Sequence, residues 1–519
     1  MDRNSNLELI KSNAKWDLIV IGGGANGLGT ALEAVSRGYK TLLLEQGDFA
    51  QGTSSRSTKL IHGGIRYLPQ GRFLFVRSAL RERATLMQNA PHLVHALPLI
   101  LPSHNWFEYC YYGIGLKLYD ILAGQKNIHA SSLLSKDQVL KHIPTLNPEF
   151  IKGGICYFDG QFDDARLAIC LAQTVEDQGG TVLNYMKVQE LIKSDDRVIG
   201  VAAKDLEGNH DYNLFANIVI NATGGYVDAL RKMDVEDIEP SLVLSQGTHI
   251  VLNRSFYPSD HSLIIPKSSD GRILFVIPWY NRVLVGTTDV EIGAMTSDPR
   301  PKVGEIEYLL QHTKDIFSNN PAPSDILSVF SGIRALLKPK RRNGTSQITR
   351  EHSIEISQSN LVSILGGKWT TFRLTGEETV NIAAQKADLP IQPSKTQKLR
   401  LHGWTKHLQP SEWQYYGSDL PLVEKLGVDN PSLLEKFNPE LPCRGVDVIW
   451  SVRHEMARCL EDVLSRRNRS LLLGAIESME IAPQVAELMA KELGKDKIWE
   501  SEQVDAYRQL AIGYLPGKL

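Results

Sequence analysis

The sequence predicts an α/β protein: a discontinuous, doubly wound domain interrupted by an α+β region and followed by a helical domain. Three observations predict it. A strand, glycine loop, helix and second strand open the chain at DLIVIGGGANGLGTALEAVSRGYKTLLLEQGD. Apolar strands ending in Gly-Gly turns return hundreds of residues later. Beyond about residue 400 apolar residues recur at three or four, the period of a helix face.

Leu18 to Ile21 form a short apolar run of the kind a buried parallel strand needs. Gly22, Gly24 and Gly27 complete G-x-G-x-x-G. The first lets the chain turn, the second admits a pyrophosphate against bare backbone, and the third lets helix and strand pack closely. A helix is expected from about Ala25 to Arg37, with Asn26 in its first turn and its positive end toward the pyrophosphate; Gly38 stops it. Thr41 to Leu44 form the second strand. Glu45 ends that strand eighteen residues after Gly27, where a carboxylate accepts hydrogen bonds from ribose hydroxyls. This Rossmann-like half suits NAD and FAD equally.

The next stretch, TSSRSTKLIHGGIRYL, mixes hydroxyls, cations, a histidine and two glycines. That mixture suits a planar cofactor and a small anion. Ser54, Ser55 and Lys59 are expected to hydrogen-bond the cofactor's phosphate and ring region, and Leu60 and His62 to contact the cofactor. Gly63 and Gly64 let the backbone slide beneath it.

Three later segments read as parts of the same site. The stretch from Val182 to Val188 is expected as a strand near the adenine. Ala216 to Leu230 is an apolar strand ending in the small-residue turn Ala222-Thr223-Gly224-Gly225. Ser359 to Val380 is a strand, then Gly366-Gly367, then a helix from about Lys368, whose first turn aims N–H groups, the Lys368 ammonium and Thr370 at a ligand. A nicotinamide fold usually binds its cofactor within one continuous domain. A chain that returns to the nucleotide so late favours an extended flavin, and a helix N-terminus there stabilises reduced flavin.

Composition narrows the class. Apolar and charged shares of 42% and 22% are those of an ordinary globular protein, and 519 residues suffice for two or three domains. A net charge of −2 gives no support to nucleic-acid binding. Five scattered cysteines without C-x-x-C argue against a disulfide framework or a zinc site, and no metal is expected. The first residues lack the apolar core of a signal peptide and no apolar run reaches spanning length, so an intracellular protein is expected.

GGGANGLGTALEAVSRG, TSSRSTKLIHGGIRYL, FDDARL, GTHIVL, FVIPW, VGTTDVE, SGIRALL, ITREHSI, GGKWTTFR and VRHEMARCLEDVLSRR, in this order along nearly the whole chain, resemble the signatures of the FAD-dependent, respiratory glycerol-3-phosphate dehydrogenases. The resemblance implies a flavin domain of the D-amino-acid-oxidase/glutathione-reductase type. It implies oxidation of sn-glycerol 3-phosphate to dihydroxyacetone phosphate by hydride transfer to FAD. It also implies a membrane quinone as acceptor, and a cytoplasmic chain attached peripherally to the inner membrane. That chemistry needs a phosphate clamp and a proton acceptor. Arg66 and Arg334 are the expected clamp, because guanidinium forks match phosphate oxygens and stay charged in a dry pocket. His249, in the GTHIVL strand, is the expected base. Lys368 and Thr371 are expected on the flavin or substrate side, and Tyr67 at the phosphate or glycerol end.

The expected flavin domain comprises 1–80, 155–240 and 330–390. The substrate domain comprises 81–154 and 241–329, and a helical cap 400–519. In the cap, Val446, Ile449, Val452, Met456, Leu460 and Val463 read as one helix face with Glu455, Arg458, Glu461 and Arg466 mostly elsewhere; Pro483 to Leu493 reads as a second helix. The aromatic stretch His104 to Gly124 is a candidate bilayer contact, or simply core. The basic run Lys338 to Arg342 offers charge to anionic lipid, or is a solvated loop. Three other readings stay open: a soluble oxidase using oxygen, an amine or amino-acid oxidase of the same fold, and a nucleotide-binding scaffold without turnover. The oligomeric state is open too, a homodimer among the alternatives.

Overall fold

A computed structural model describes residues 1–12, 15–266, 273–314, 316–338, 352–408 and 412–517. Most of the basic run after Lys338 and the start of ITREHSI lie outside the described residues.

The opening strand, Trp16–Ile21, runs parallel to Thr41–Leu44 on one side and to Asp211–Asn221 on the other. Thr181–Leu183 extends the sheet beyond Thr41–Leu44, and Val362–Gly366 beyond Asp211–Asn221, both parallel; His352–Ile356 closes that edge antiparallel. Leu18, Ile19 and Val20 are fully buried, as a central strand covered on both faces requires. The helix Ala25–Ser36 packs over this sheet with Asp164–Asp177 and Phe372–Lys386. Four segments far apart in sequence therefore end their strands at the same sheet edge, where ligands of such sheets bind. The expected strand from Val182 to Val188 is interrupted: Thr181–Leu183 stops, Tyr185 takes a positive φ, and Met186–Ser194 starts a hairpin with Arg197–Asp205.

The second sheet is antiparallel for most of its width and centres on Leu242–Asn253, paired with Arg282–Gly286 and with Ile326–Leu337. The expected hairpin RILFVIPW…RVLVGTTD is present as Leu274–Trp279 and Arg282–Gly286. Residues 155–162 and 330–337, expected from sequence in the flavin region, lie in strands of this sheet. Gly153–Phe162 pairs with Val94–Ser103, and Ile326–Leu337 pairs along Leu242–Asn253. Their alternation gives no sign of which partner they choose, because pairing is decided by long-range register.

The C-terminal region departs most from expectation. The single helix expected through Val446 and Val463 is broken. Gly445–His454 ends, Met456 adopts a positive φ, and Asp462–Arg467 forms a separate π-helical turn. Glu455 and Arg466, expected off the apolar face, are buried. The second helix begins earlier, at Ala475, and carries Pro483 inside Ala475–Leu493; Lys497–Ile512 follows. Among the described residues no helix is long and apolar enough to cross a membrane.

Candidate active site

A cavity of about 830 Å³ opens between the two sheets, within the roughly 300–1,000 Å³ usual for cofactor and ligand sites. One wall is the glycine loop. Gly22 has φ +113° and a Cβ there would lie 2.6 Å from the Ala222 carbonyl oxygen; a Cβ on Gly27 would lie 1.8 Å from the Gly22 oxygen. Side chains are thus excluded, and the helix beginning at Ala25 presents bare N–H groups. The Ser54 hydroxyl accepts from the Ala25 N–H at 3.0 Å, holding a second polar group at that helix end. Glu45 accepts from the Gly23 N–H at 2.6 Å and the Gly47 N–H at 2.9 Å; burial pushes its carboxyl above the usual range.

Segments hundreds of residues apart complete this wall. Asn26 donates to the Gly366 carbonyl at 2.9 Å, and the Trp369 indole N–H donates to the Ser54 carbonyl at 3.0 Å. Thr370 hydrogen-bonds the backbone of His62. Gly24, Leu60, His62, Val188, Thr223, Gly224, Gly367 and Lys368 also line the cavity. This glycine cradle at a helix N-terminus, with a hydroxyl and a carboxylate at its ends, fits the pyrophosphate and ribose of a dinucleotide.

The opposite wall is cationic. Arg334, from Ile326–Leu337, donates to the Thr287 hydroxyl at 2.8 Å and the Thr288 carbonyl at 3.2 Å, and lies 3.6 Å from the Asp289 carboxylate. Gly247 beneath it has no room for a Cβ, which would sit 2.3 Å from the Arg334 guanidinium. Arg66 donates to the Tyr67 hydroxyl at 2.8 Å. His249 stacks on Phe330, with ring centroids 4.9 Å apart, and its Nε2 meets the Thr58 hydroxyl at 3.0 Å; Nδ1 is buried without a hydrogen-bond partner. Burial, then the charges of Arg334 and Lys59, hold the imidazole well below its ordinary pKa. It is neutral at neutral pH and able to accept a proton.

Seven expected site residues lie behind the wall: Gly27, Ser55, Lys59, Gly63, Gly64, Tyr67 and Thr371. Lys59 is the clearest correction. Its ammonium is fully buried and bonded to both oxygens of Asp164 at 2.8 Å and to the Ser55 carbonyl at 2.8 Å. It holds the loop together rather than meeting a ligand phosphate. Ser55 serves through that same carbonyl, which also accepts from Arg469 at 2.8 Å. Gly63 sits where a Cβ would meet Leu80 and the Tyr119 hydroxyl, and Gly64 takes φ +79°, so both shape the turn before Arg66. Thr371 carries the 3₁₀ turn into Phe372–Lys386. The Tyr67 ring lies between two cations, Arg66 at 4.8 Å and Lys368 at 4.3 Å, and holds both by cation–π attraction.

Sequence reasoning missed Thr58, Thr287, Thr288 and Asp289, which line the cavity beside His249 and Arg334. The last three lie in VGTTDVE, a motif noticed without a role. Sequence also missed Glu305, which is buried and accepts from Thr248, Thr288, Gln246 and the Lys302 N–H, fixing the Thr287–Asp289 turn from behind. Nothing local to Glu305 announces that role.

Comparison with known proteins agrees with this geometry. Residues 17–382 match the family model of FAD dependent oxidoreductases, and residues 358–500 that of the C-terminal domain of alpha-glycerophosphate oxidase. The mitochondrial glycerol-3-phosphate dehydrogenase of Rattus norvegicus is 37% identical over 97% of this chain and 74% of its own. That of Arabidopsis thaliana is 35% identical over 95% and 85%. The glycerol-3-phosphate dehydrogenase of Bacillus halodurans, solved with FAD, superposes with a TM-score of 0.82 at 28% identity, over 100% of this chain and 98% of that one. The L-alpha-glycerophosphate oxidase of Mycoplasma pneumoniae, at 19% identity and TM-score 0.58, covers 74% of this chain and shares the fold. The chain belongs to the family of FAD-dependent glycerol-3-phosphate dehydrogenases.

Proposed function

We propose that this protein oxidises sn-glycerol 3-phosphate to dihydroxyacetone phosphate with FAD as its cofactor and a membrane quinone as final electron acceptor. The observation that carries the reading is one cavity joining a glycine-lined dinucleotide cradle to Arg66, Arg334 and a neutral His249. Gly22, Gly24, Asn26, Glu45, Ser54 and Gly367 would hold the cofactor. When bound, FAD supplies a two-electron acceptor for the carbinol carbon.

The protein's own groups do the rest. Arg334 and Arg66 grip a phosphate carrying about −1.5 to −2 charge. Thr287 and Asp289 hold the Arg334 fork in place. His249 takes the hydroxyl proton at Nε2, where the Thr58 hydroxyl also meets it. Lys368, held over Tyr67 and Phe75 at 4.3 Å, keeps a positive charge at the cofactor side. The Phe330 stack and the strands behind it keep water from the imidazole.

Peripheral attachment to the inner (cytoplasmic) membrane is supported by the helix Trp106–Ala123. Trp106, Phe107, Ile114 and Ile121 are 71%, 79%, 73% and 74% exposed, and at about 100° per residue they share roughly a third of its circumference. Large apolar side chains on one exposed helix face suit the bilayer interface.

The test is anaerobic. The purified yellow protein should bleach on addition of glycerol 3-phosphate and recover its colour with a short-chain quinone. A colourless protein that takes up no flavin would sink the reading. Stoichiometric peroxide in air with no quinone reduction would replace the dehydrogenase by an oxidase.

A further inference from the structure

The cavity wall carries one arginine that the proposed function leaves without a task. Arg56 ends the 3₁₀ turn Thr53–Ser55 that presents the Ser54 hydroxyl, and it is 8% exposed. It packs against the strand of the clamp: a Cβ on Gly332 would lie 2.7 Å from the Arg56 carbonyl oxygen and 3.1 Å from its Cβ. Gly332 and Arg334 project from the same face of that strand. Arg56 donates to the Ser297 carbonyl at 3.1 Å and to the Tyr514 hydroxyl at 3.3 Å. Its ion pair, with Asp298, is long at 3.7 Å, and Asp298 also pairs with Arg300 more closely. Glu461, which also faces this group, is hydrogen-bonded to Arg466 at 2.5 Å.

The charges of the cavity are unbalanced in the same sense. Arg56, Arg66, Arg334, Lys187 and Lys368 line it against Glu45 and Asp289. A cavity lined mainly by one sign of charge attracts ligands of the other sign. On the proposed function two sources of phosphate enter it, the cofactor's pyrophosphate and the substrate's phosphomonoester.

We propose that Arg56, seated beside the strand of Arg334 and anchored by Ser297 and Tyr514, is a third phosphate-binding guanidinium of this cavity. The proposal rests on the functional reading above. It gives the end of the chain a part in the site, since Tyr514 follows the last helix and steadies the Arg56 fork.

The experiment compares the wild-type holoenzyme with Arg56→Gln, Arg56→Lys and Tyr514→Phe. FAD release on dilution is read by flavin fluorescence; KM for glycerol 3-phosphate and Ki for inorganic phosphate are measured with FAD in excess. Arg56→Gln should weaken at least one of these at least tenfold, and Arg56→Lys less. A loss confined to FAD retention identifies the pyrophosphate as the partner. A loss confined to KM and Ki identifies the substrate phosphate. The proposal is overturned if all three constants stay within twofold of wild type, or if Arg56→Lys loses as much as Arg56→Gln, which marks Arg56 as merely structural; Tyr514→Phe should give a smaller loss in the same constant. A wild-type protein that holds no FAD, or is not bleached by substrate, removes the functional reading instead.

Discussion

Two groups of arginines in this protein differ in their partners, and the difference separates holding a fold from the ligand-holding role proposed above. At the seam between the C-terminal region and the nucleotide domain, Arg466 donates to Asp48, Glu461 and Asp462 at 2.5, 2.5 and 2.6 Å. Arg467 grips both oxygens of Asp48 at 2.6 and 2.9 Å, and Arg469 reaches Asp164 at 3.0 Å. Each is almost wholly buried and meets a carboxylate at hydrogen-bond distance. Around the cavity, Arg334 and Arg66 donate to hydroxyls and a carbonyl, and the carboxylate of Asp289 stays 3.6 Å from Arg334. Residue type is the same in both places. Matching by fixed anions at hydrogen-bond distance marks the first group as structural; the second lines the cavity, where on the proposed function an arriving anion meets it.

The largest expected effect breaks the seam. Asp48→Asn removes the anion shared by Arg466 and Arg467, and loss of one partner from such a buried pair costs about 3–5 kcal/mol. Calorimetry should show a large drop in unfolding temperature, while any protein still folded keeps a near-normal KM. An unchanged unfolding temperature would dissolve the distinction. Arg334→Ala should do the reverse: loss of a charged partner costs about 2–5 kcal/mol, so KM rises at least tenfold while FAD stays bound and stability barely moves.

His249→Gln should lower kcat by about 100-fold, in the range of general-base catalysis. Because burial and Arg334 keep the wild-type imidazole neutral, the acid limb of kcat/KM should lie below pH 6.5. A limb centred at or above that value would remove His249 from the role.

The smallest effect sharpens the seam through pH. Asp48 is held at about 2: burial opposes ionisation, and Arg467 and Arg466 outweigh it. Its contribution is complete above the unfolded carboxylate value and is lost only as pH falls through about 2. His402 behaves oppositely. Burial lowers its pKa, but hydrogen bonds to Asp177 and Asp419 at 2.7 and 2.8 Å raise it to about 9. Its stabilisation is complete below about 6.5 and is lost as pH rises through 9. His402→Gln should therefore destabilise modestly at pH 6 and scarcely at pH 10; equal losses at both would refute the charge-based account.

The sequence alone determined the βαβ unit, the glycine cradle with Glu45, the late Gly-Gly turns, and Arg66, Arg334 and His249 as candidates. These features are local: a short strand, a turn that only glycine fits, and a functional group at fixed spacing from it. Only the tertiary structure decided that Lys59 is bound to Asp164, 105 residues away, and so is not a ligand for phosphate. It alone decided that Ile326–Leu337 runs with the second sheet, that the expected helix through Met456 breaks, and that Arg466 turns inward to Asp48. The reason is physical. A polar or charged side chain takes its role from whichever partner desolvates and neutralises it, and for Arg467 that partner, Asp48, lies 419 residues away, beyond the reach of any periodic pattern.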